Sequence, residues 1–174
     1  MNHATFEIRR ATEADVAALT AFGARTFRES FGQDNTAEDM EQHLNSAWRA
    51  DLQRAEVLDP EIDTLVAESN GAFAGFAMVR EKKQPPGVST LKPVELWRFY
   101  VDKPWQGRGL AQALMKAVEE SARARGGREL WLGVWERNER AQAFYRKSGF
   151  EKVSTQIFVV GNDPQTDHVM LRPL

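Results

Sequence analysis

The run VELWRFYV, Val94 to Val101, is β-branched and aromatic; it ends in the turn DKPWQ and hands over to Gly107-Arg108-Gly109 ahead of an apolar-periodic stretch. These residue types predict a strand, a tight turn and a helix start. Unpaired backbone N–H groups and the positive end of the helix dipole then converge on one point, where a phosphate can sit. Gly107 and Gly109 carry no Cβ to hold an anion away from the backbone. A second cluster, Asn138 to Tyr145, follows one predicted strand later. Seven residues apart on a helix, Asn138 and Tyr145 share a face. The two clusters together point to an enzyme that holds a pyrophosphate-bearing cofactor and transfers a group from it.

Two other glycine-loop chemistries fit poorly. A nucleoside-triphosphate loop needs Lys-Ser/Thr after its last glycine, and Leu110-Ala111 stands there. A dinucleotide fingerprint needs a third glycine three residues after Gly109, and Gln112 stands there. A Gly-x-Gly turn alone also reads as a plain chain reversal.

The elements that must position these residues alternate in type. Residues 6–10 read as a strand. Thr12 caps a helix with Glu13 and Asp15 in its first turn and Val16, Leu19, Phe22 and Phe27 at helical spacing. Asn35 or Thr36 caps a second helix carrying Met40, Leu44 and Trp48, and residues 49–58 read as a third, stopped by Asp59-Pro60. Residues 64–68 and 73–81 form strands across Asn70-Gly71, a strong hairpin pair. A Pro-rich loop spans 82–93. After the 94–101 strand come a helix from 109 to about 125 stopped by Gly126-Gly127, a strand over 129–135, a helix over 138–148 with Gly149 as its C-cap, and two strands around Gly161-Asn162-Asp163-Pro164. Strands before, between and after helices imply an α/β layer structure with a mixed sheet.

Composition narrows the class. At 174 residues the chain reads as one domain spanning 1–174, with 42% hydrophobic and 28% charged content. A formal net charge of -2 gives no basic field for nucleic acid or anionic membrane. No apolar run reaches the length of a membrane span, and MNHATFEIRR is not a secretory leader, so a cytoplasmic protein is expected. There is no cysteine, which excludes disulfides, thiolate metal sites and an acyl-cysteine intermediate. The histidines lack metal-ligand spacing, so no metal is expected, and no G-x-S-x-G marks a serine hydrolase.

Gln106-x-x-Gly109-x-Ala111 after the strand resembles motif A of the GCN5-related N-acetyltransferases (GNAT), and Asn138-Glu-Arg-Ala-Gln-Ala-Phe-Tyr145-Arg-Lys-Ser-Gly149-Phe150 resembles their motif B. Within that superfamily, Thr26-Phe27-x-x-Ser30-Phe31, the run Trp131 to Phe150 and the ending GNDPQTD (Gly161 to Asp167) are similar to bacterial PaiA-type polyamine acetyltransferases. The resemblance covers nearly the whole chain. It implies a sheet of about seven strands flanked by four or five helices, with strands four and five splayed around acetyl-CoA. Phe99, Tyr100 and Val101 would offer backbone groups to the pantetheine arm. The amides of Gln106, Gly107, Arg108, Gly109, Leu110 and Ala111 would cradle the pyrophosphate, with the Arg108 charge beside it. Asn138 would steady the arm, or serve simply as the N-cap of its helix. Lys147 would reach a phosphate, or be one more solvated charge.

The resemblance also implies that Tyr145 donates to the departing thiolate; otherwise it is a core aromatic. With a thiol pKa of about 8.5 and a tyrosine pKa of about 10, full transfer is uphill by roughly 2 kcal/mol. Donation to developing charge, or transfer concerted with C–S cleavage, is the better role. An alkylamine with pKa about 10.4 must also shed a proton. Glu95, six residues before Val101, is the base the resemblance suggests, with an exposed strand-start glutamate as the other reading. Simple alternation places Glu95, Trp97, Phe99 and Val101 on one face.

For the acceptor, Glu29, Asp34, Glu38, Asp39 and Glu41 suit a polycation such as spermidine, or form an ordinary solvated helix face. Trp48 and Trp97 line its aliphatic part or pack in the core. The expectation is an acetyl-CoA-dependent N-acetyltransferase acting by direct attack in a ternary complex on a small-molecule primary amine, a polyamine such as spermidine or spermine. A protein amine, another small amine, or a non-catalytic CoA-binding sensor stands as the alternative, and a homodimer is left open.

Overall fold

A computed structural model of the chain describes residues 5–81 and 83–174. Residues 1–4, scanned for a leader, and Lys82, the expected start of the Pro-rich loop, lie outside the described residues. The strands are β1 (Glu7–Arg10), β2 (Ile62–Ser69), β3 (Ala72–Glu81), β4 (Pro93–Val101), β5 (Glu129–Trp135), β6 (Glu151–Val160) and β7 (Asp163–Pro173). The helices are α1 (Val16–Phe31), α2 (Ala37–Ala47), α3 (Ala50–Leu58), α4 (Leu110–Ala124) and α5 (Glu139–Lys147). All seven strands lie in one sheet of order β1-β2-β3-β4-β5-β7-β6. The pair β4–β5 is parallel and the other pairs are antiparallel.

Local chemistry explains where the elements begin and turn. Thr12 donates its backbone N–H to the Asp15 carboxylate at 2.7 Å, and the Thr36 hydroxyl accepts from the Asp39 amide at 3.1 Å. Each satisfies a polar group that a helix start leaves unpaired. Asn70 and Gly71 adopt φ of 51° and 77°, the left-handed pair that a tight hairpin needs.

Two cores sandwich the sheet. Leu19, Phe22, Phe27, Met40, Leu44 and Trp48 pack α1 and α2 onto Val66, Phe76 and Met78. On the opposite face Leu114, Met115, Val118, Tyr145 and Phe150 pack α4 and α5 onto Ala77, Val79, Leu96, Leu130 and Leu132.

Two features of β4 prepare the site. Its ladder with β5 stops after Pro93↔Glu129, Val94↔Leu130 and Glu95↔Trp131, so the strands part from there on. Its ladder with β3 jumps from Met78↔Arg98 to Val79↔Leu96, which makes Trp97 the extra residue of a β-bulge. The bulge corrects the simple alternation. Glu95 and Trp97 share the α1–α2 face, Arg98 joins them there, and Phe99 and Val101 turn to the α4–α5 face.

Candidate active site

The glycine turn sits at the wide end of the gap between β4 and β5. Asp102, just past β4, holds the turn down: its carboxylate accepts from the Lys103 amide at 2.9 Å and from both terminal nitrogens of Arg25 on α1, at 2.9 Å each. Gln106 donates to the Val101 carbonyl at 3.2 Å. Gly109 is the N-cap of α4 at φ +83°, a left-handed conformation that suits glycine and places no side chain over the helix end. The first helical hydrogen bond runs from the Ala113 amide to the Gly109 carbonyl, which leaves the amides of Leu110, Ala111 and Gln112 outside the helix's own ladder. A Cβ built on Gly107 or Gly109 meets nothing within 4 Å. Gly107, Arg108 and Gly109 are exposed, and no protein acid pairs with Arg108 among the described residues. An anion has open access to this helix end, so a pyrophosphate fits.

Between the parted strands, the backbone of β4 from Leu96 to Val101 pairs with β3 alone, and that of β5 beyond Trp131 with β7 alone. The sheet thus has an interior edge open to an extended ligand. Tyr145 lies under this edge, 8% exposed, with its ring at an edge-to-face angle to Phe99, Phe144 and Phe150. Burial, followed by the neighbouring Tyr100, pushes its pKa well above the ordinary tyrosine value. Among the described residues no protein group hydrogen-bonds its hydroxyl. Asn138 caps α5, its side-chain carbonyl accepting from the Ala141 amide at 3.1 Å. Lys147 is exposed at the other end of the helix.

The α1–α2 face of the gap is where an acceptor could approach. Glu95 is buried, 5% exposed, and its carboxylate accepts a hydrogen bond from the Arg80 guanidinium. Arg80 and Arg98 lie over the Trp97 ring at 3.9 and 4.2 Å from its centroid. Arg98 in turn donates to Glu56 at 2.5 Å and to Gln53 at 3.3 Å. Trp97 is therefore covered by the protein's own cations. Glu29 is ion-paired with Arg25 at 3.2 Å, Glu41 pairs with Arg28, and Asp39 accepts from the Asn162 amide at 2.8 Å. Part of the acidic segment is thus spent within the fold.

Spacing alone did not single out Asp167, which the structure places in this cleft. It lies opposite Trp135 in the β5–β7 register and opposite Gln156 in the β6–β7 register. It is 8% exposed, and its nearest polar partner is the Gln156 amide at 3.5 Å. Burial raises its pKa to about 6. A polar residue at an inward position of a strand whose neighbours there, Val169 and Leu171, are apolar was the available signal.

Residues 24–150 match the family model described as the Acetyltransferase (GNAT) family. An uncharacterised N-acetyltransferase of Lactobacillus delbrueckii subsp. lactis is 33% identical over 97% of each chain. The aminoglycoside N(6')-acetyltransferase type 1 of Stenotrophomonas maltophilia is 30% identical over 87% of this chain and 90% of its own. The PaiA N-acetyltransferase of Thermoplasma acidophilum, solved with coenzyme A, superposes with a TM-score of 0.81 over 98% of this chain and 99% of that one, at 19% identity. The open anion site at the α4 start, the parted β4 and β5 and the family match agree: the chain belongs to the GNAT family and is an acetyl-CoA-dependent N-acetyltransferase.

Proposed function

We propose that the chain, as a single domain over 1–174, acetylates a primary amine of a polyamine such as spermidine or spermine by direct attack in a ternary complex. Acetyl-CoA supplies the activated acetyl thioester. The amides from Gln106 to Ala111, with Arg108 and Lys147, hold its phosphates. The β4 backbone at Phe99, Tyr100 and Val101, with Asn138 opposite, holds its arm. Tyr145 donates a hydrogen bond to the sulfur as negative charge develops there. Glu29 and Trp97 are the acceptor-side residues and Glu95 the base that the family resemblance suggests, each held in the fold by an arginine, Arg25 for Glu29 and Arg80 for the other two.

The observation that carries the reading is the shared gap. One wall offers a phenol with no protein partner among the described residues, and the other face carries Asp167, a buried carboxylate with no cation beside it among those residues, opposite Trp135 in the β5–β7 register. Alkylammonium chains suit such a lining, since aromatics receive the methylenes and carboxylates the charges.

An aminoglycoside acceptor is the second reading, favoured by the relative from Stenotrophomonas maltophilia. Thiol release from acetyl-CoA, measured with spermidine, spermine and kanamycin in separate arms, decides between them. Release with the polyamines alone is the expected result. Release with kanamycin alone moves the acceptor class, and CoA binding without release for any amine would favour a sensor role. Light scattering of the purified protein tests the homodimer.

A further inference from the structure

Two carboxylates face the cleft, and they differ in their company. Glu95 is neutralised by Arg80, whose guanidinium also rests on Trp97. Asp167 has no cation within ion-pair distance among the described residues. A buried carboxylate without a counter-ion is costly and is retained where a ligand completes it.

The floor beside Asp167 is open. Gly133 is exposed although β5 lies inside the sheet, and a Cβ there would come 2.2 Å from the Gln156 amide nitrogen and 3.1 Å from Asp167 Oδ2. The missing side chain lets Gln156 and Asp167 lean over β5 towards the gap between β4 and β5.

We infer that Asp167, hung over Gly133 beside Gln156, receives the ammonium group of the acceptor and takes its proton, while Glu95 positions Arg80 on Trp97. This rests on the acceptor being an amine and deepens that reading. The ammonium nitrogen gives one proton to Asp167 and, as its lone pair forms the N–C bond and the C–S bond breaks, loses a second. One of the two protons ends on sulfur by way of Tyr145, and the other leaves Asp167 for solvent. The raised pKa of Asp167 makes it a better proton acceptor than an ordinary aspartate. Several groups face Asp167 from the packed elements. Tyr100 on β4 is held protonated by burial, with a pKa near 12. Gln156 on β6 and Trp135 on β5 carry no charge. The Asp167 carboxylate adds to the upward shift at Tyr100.

Calorimetry of the wild type and Asp167→Asn with CoA, then with spermidine on the CoA complex, tests the assignment. CoA affinity should be equal in the two proteins, and spermidine affinity should fall at least tenfold in the variant. Equal spermidine affinity would overturn the Asp167 site and leave the polyamine reading standing. Binding of kanamycin but not spermidine, lost in Asp167→Asn, would overturn the polyamine reading and uphold Asp167. Absence of binding by every amine would overturn both. A purely structural Asp167 would not shift the acid limb of kcat/KM, which should rise through about pH 6 in the wild type and flatten in the variant.

Discussion

Glu95 and Trp131 are the last residues at which β4 and β5 pair. Beyond them one strand runs on beside β3 and the other beside β7, and the resulting gap organises the whole site. The anion site lies at its mouth, Tyr145 beneath it, and the aromatic and acidic cleft above.

Tyr145 should matter to chemistry rather than to CoA affinity. Tyr145→Phe keeps the edge-to-face packing on Phe99, Phe144 and Phe150 and removes only the hydroxyl. We expect kcat to fall by about 10²-fold, the lower end for a positioned acid, with CoA affinity changed by less than about twofold. Because burial holds the phenol protonated far above neutrality, the alkaline side of the wild-type pH profile should show no limb from this group below about pH 10. Steady-state kinetics beside CoA calorimetry measures both. Undiminished turnover would assign the sulfur's proton to water.

Gly109→Asp should act in the opposite way. Nothing stands within 4 Å of a Cβ there, so the fold survives, with a strain of about 1 kcal/mol from a side chain at φ +83°. A carboxylate beside the amides of Leu110 and Ala111 then repels the pyrophosphate. CoA affinity should drop by about 10²-fold or more while far-UV circular dichroism stays unchanged. Wild-type affinity would remove the glycine turn from the cofactor site.

Much of the fold is legible in the sequence, and the reason is local. The order of strands and helices follows from caps and turns such as Thr36, Asn70-Gly71 and Gly109, whose effects reach only a few residues. Asn138 is legible as the cap of α5 because an asparagine before a helical run can accept from the amide three residues on. Alternation rightly pairs Glu95 with Trp97 but wrongly adds Phe99 and Val101, because a β-bulge is one extra residue that alternation cannot anticipate. Asp167 is not legible in the sequence because its surroundings come from separate strands: Gly133 on β5 lacks a side chain, Gln156 on β6 leans in, and no cation among the described residues reaches it. The partner of Glu95, Arg80, likewise comes from the β3–β4 register, whereas Glu29 and Arg25 are an i,i+4 pair on α1 that helical spacing alone brings together.

Glu95→Gln and Asp167→Asn should separate the two cleft carboxylates. Glu95→Gln weakens the hold on Arg80 and with it the cation over Trp97. It should lower kcat/KM by about tenfold, through an equilibrium shift of about 1.4 kcal/mol, and leave the acid limb in place. Asp167→Asn should flatten that limb. The pH dependence of kcat/KM for both variants is the measurement. A limb lost in Glu95→Gln and kept in Asp167→Asn would make Glu95 the proton acceptor.

The same two-state titration that serves binding at Asp167 must weigh on stability, and Asp63 supplies the contrast. Burial pushes Asp63 up as well, but hydrogen bonds from Arg125 and Ser121 and the charges of Arg125 and Arg10 outweigh it, so its pKa lies below the ordinary value. Its contribution is present above the unfolded value and is lost as pH falls through the depressed one. Asp63→Asn, which strips a buried partner from Arg125, should therefore cost about 3 kcal/mol at pH 7. Asp167 runs the other way. Raised from 3.8 to about 6, it favours the fold below pH 3.8, and that benefit disappears as pH rises through about 6. Above pH 6 the ionised side chain costs up to about 3 kcal/mol, which Asp167→Asn removes. Thermal melts at pH 4 and pH 8 should show Asp167→Asn gaining on the wild type at the higher pH, while Asp63→Asn melts lower. A variant at Asp167 that is no more stable at pH 8 than the wild type would mean that the fold already satisfies this carboxylate, leaving nothing for a bound ammonium to relieve.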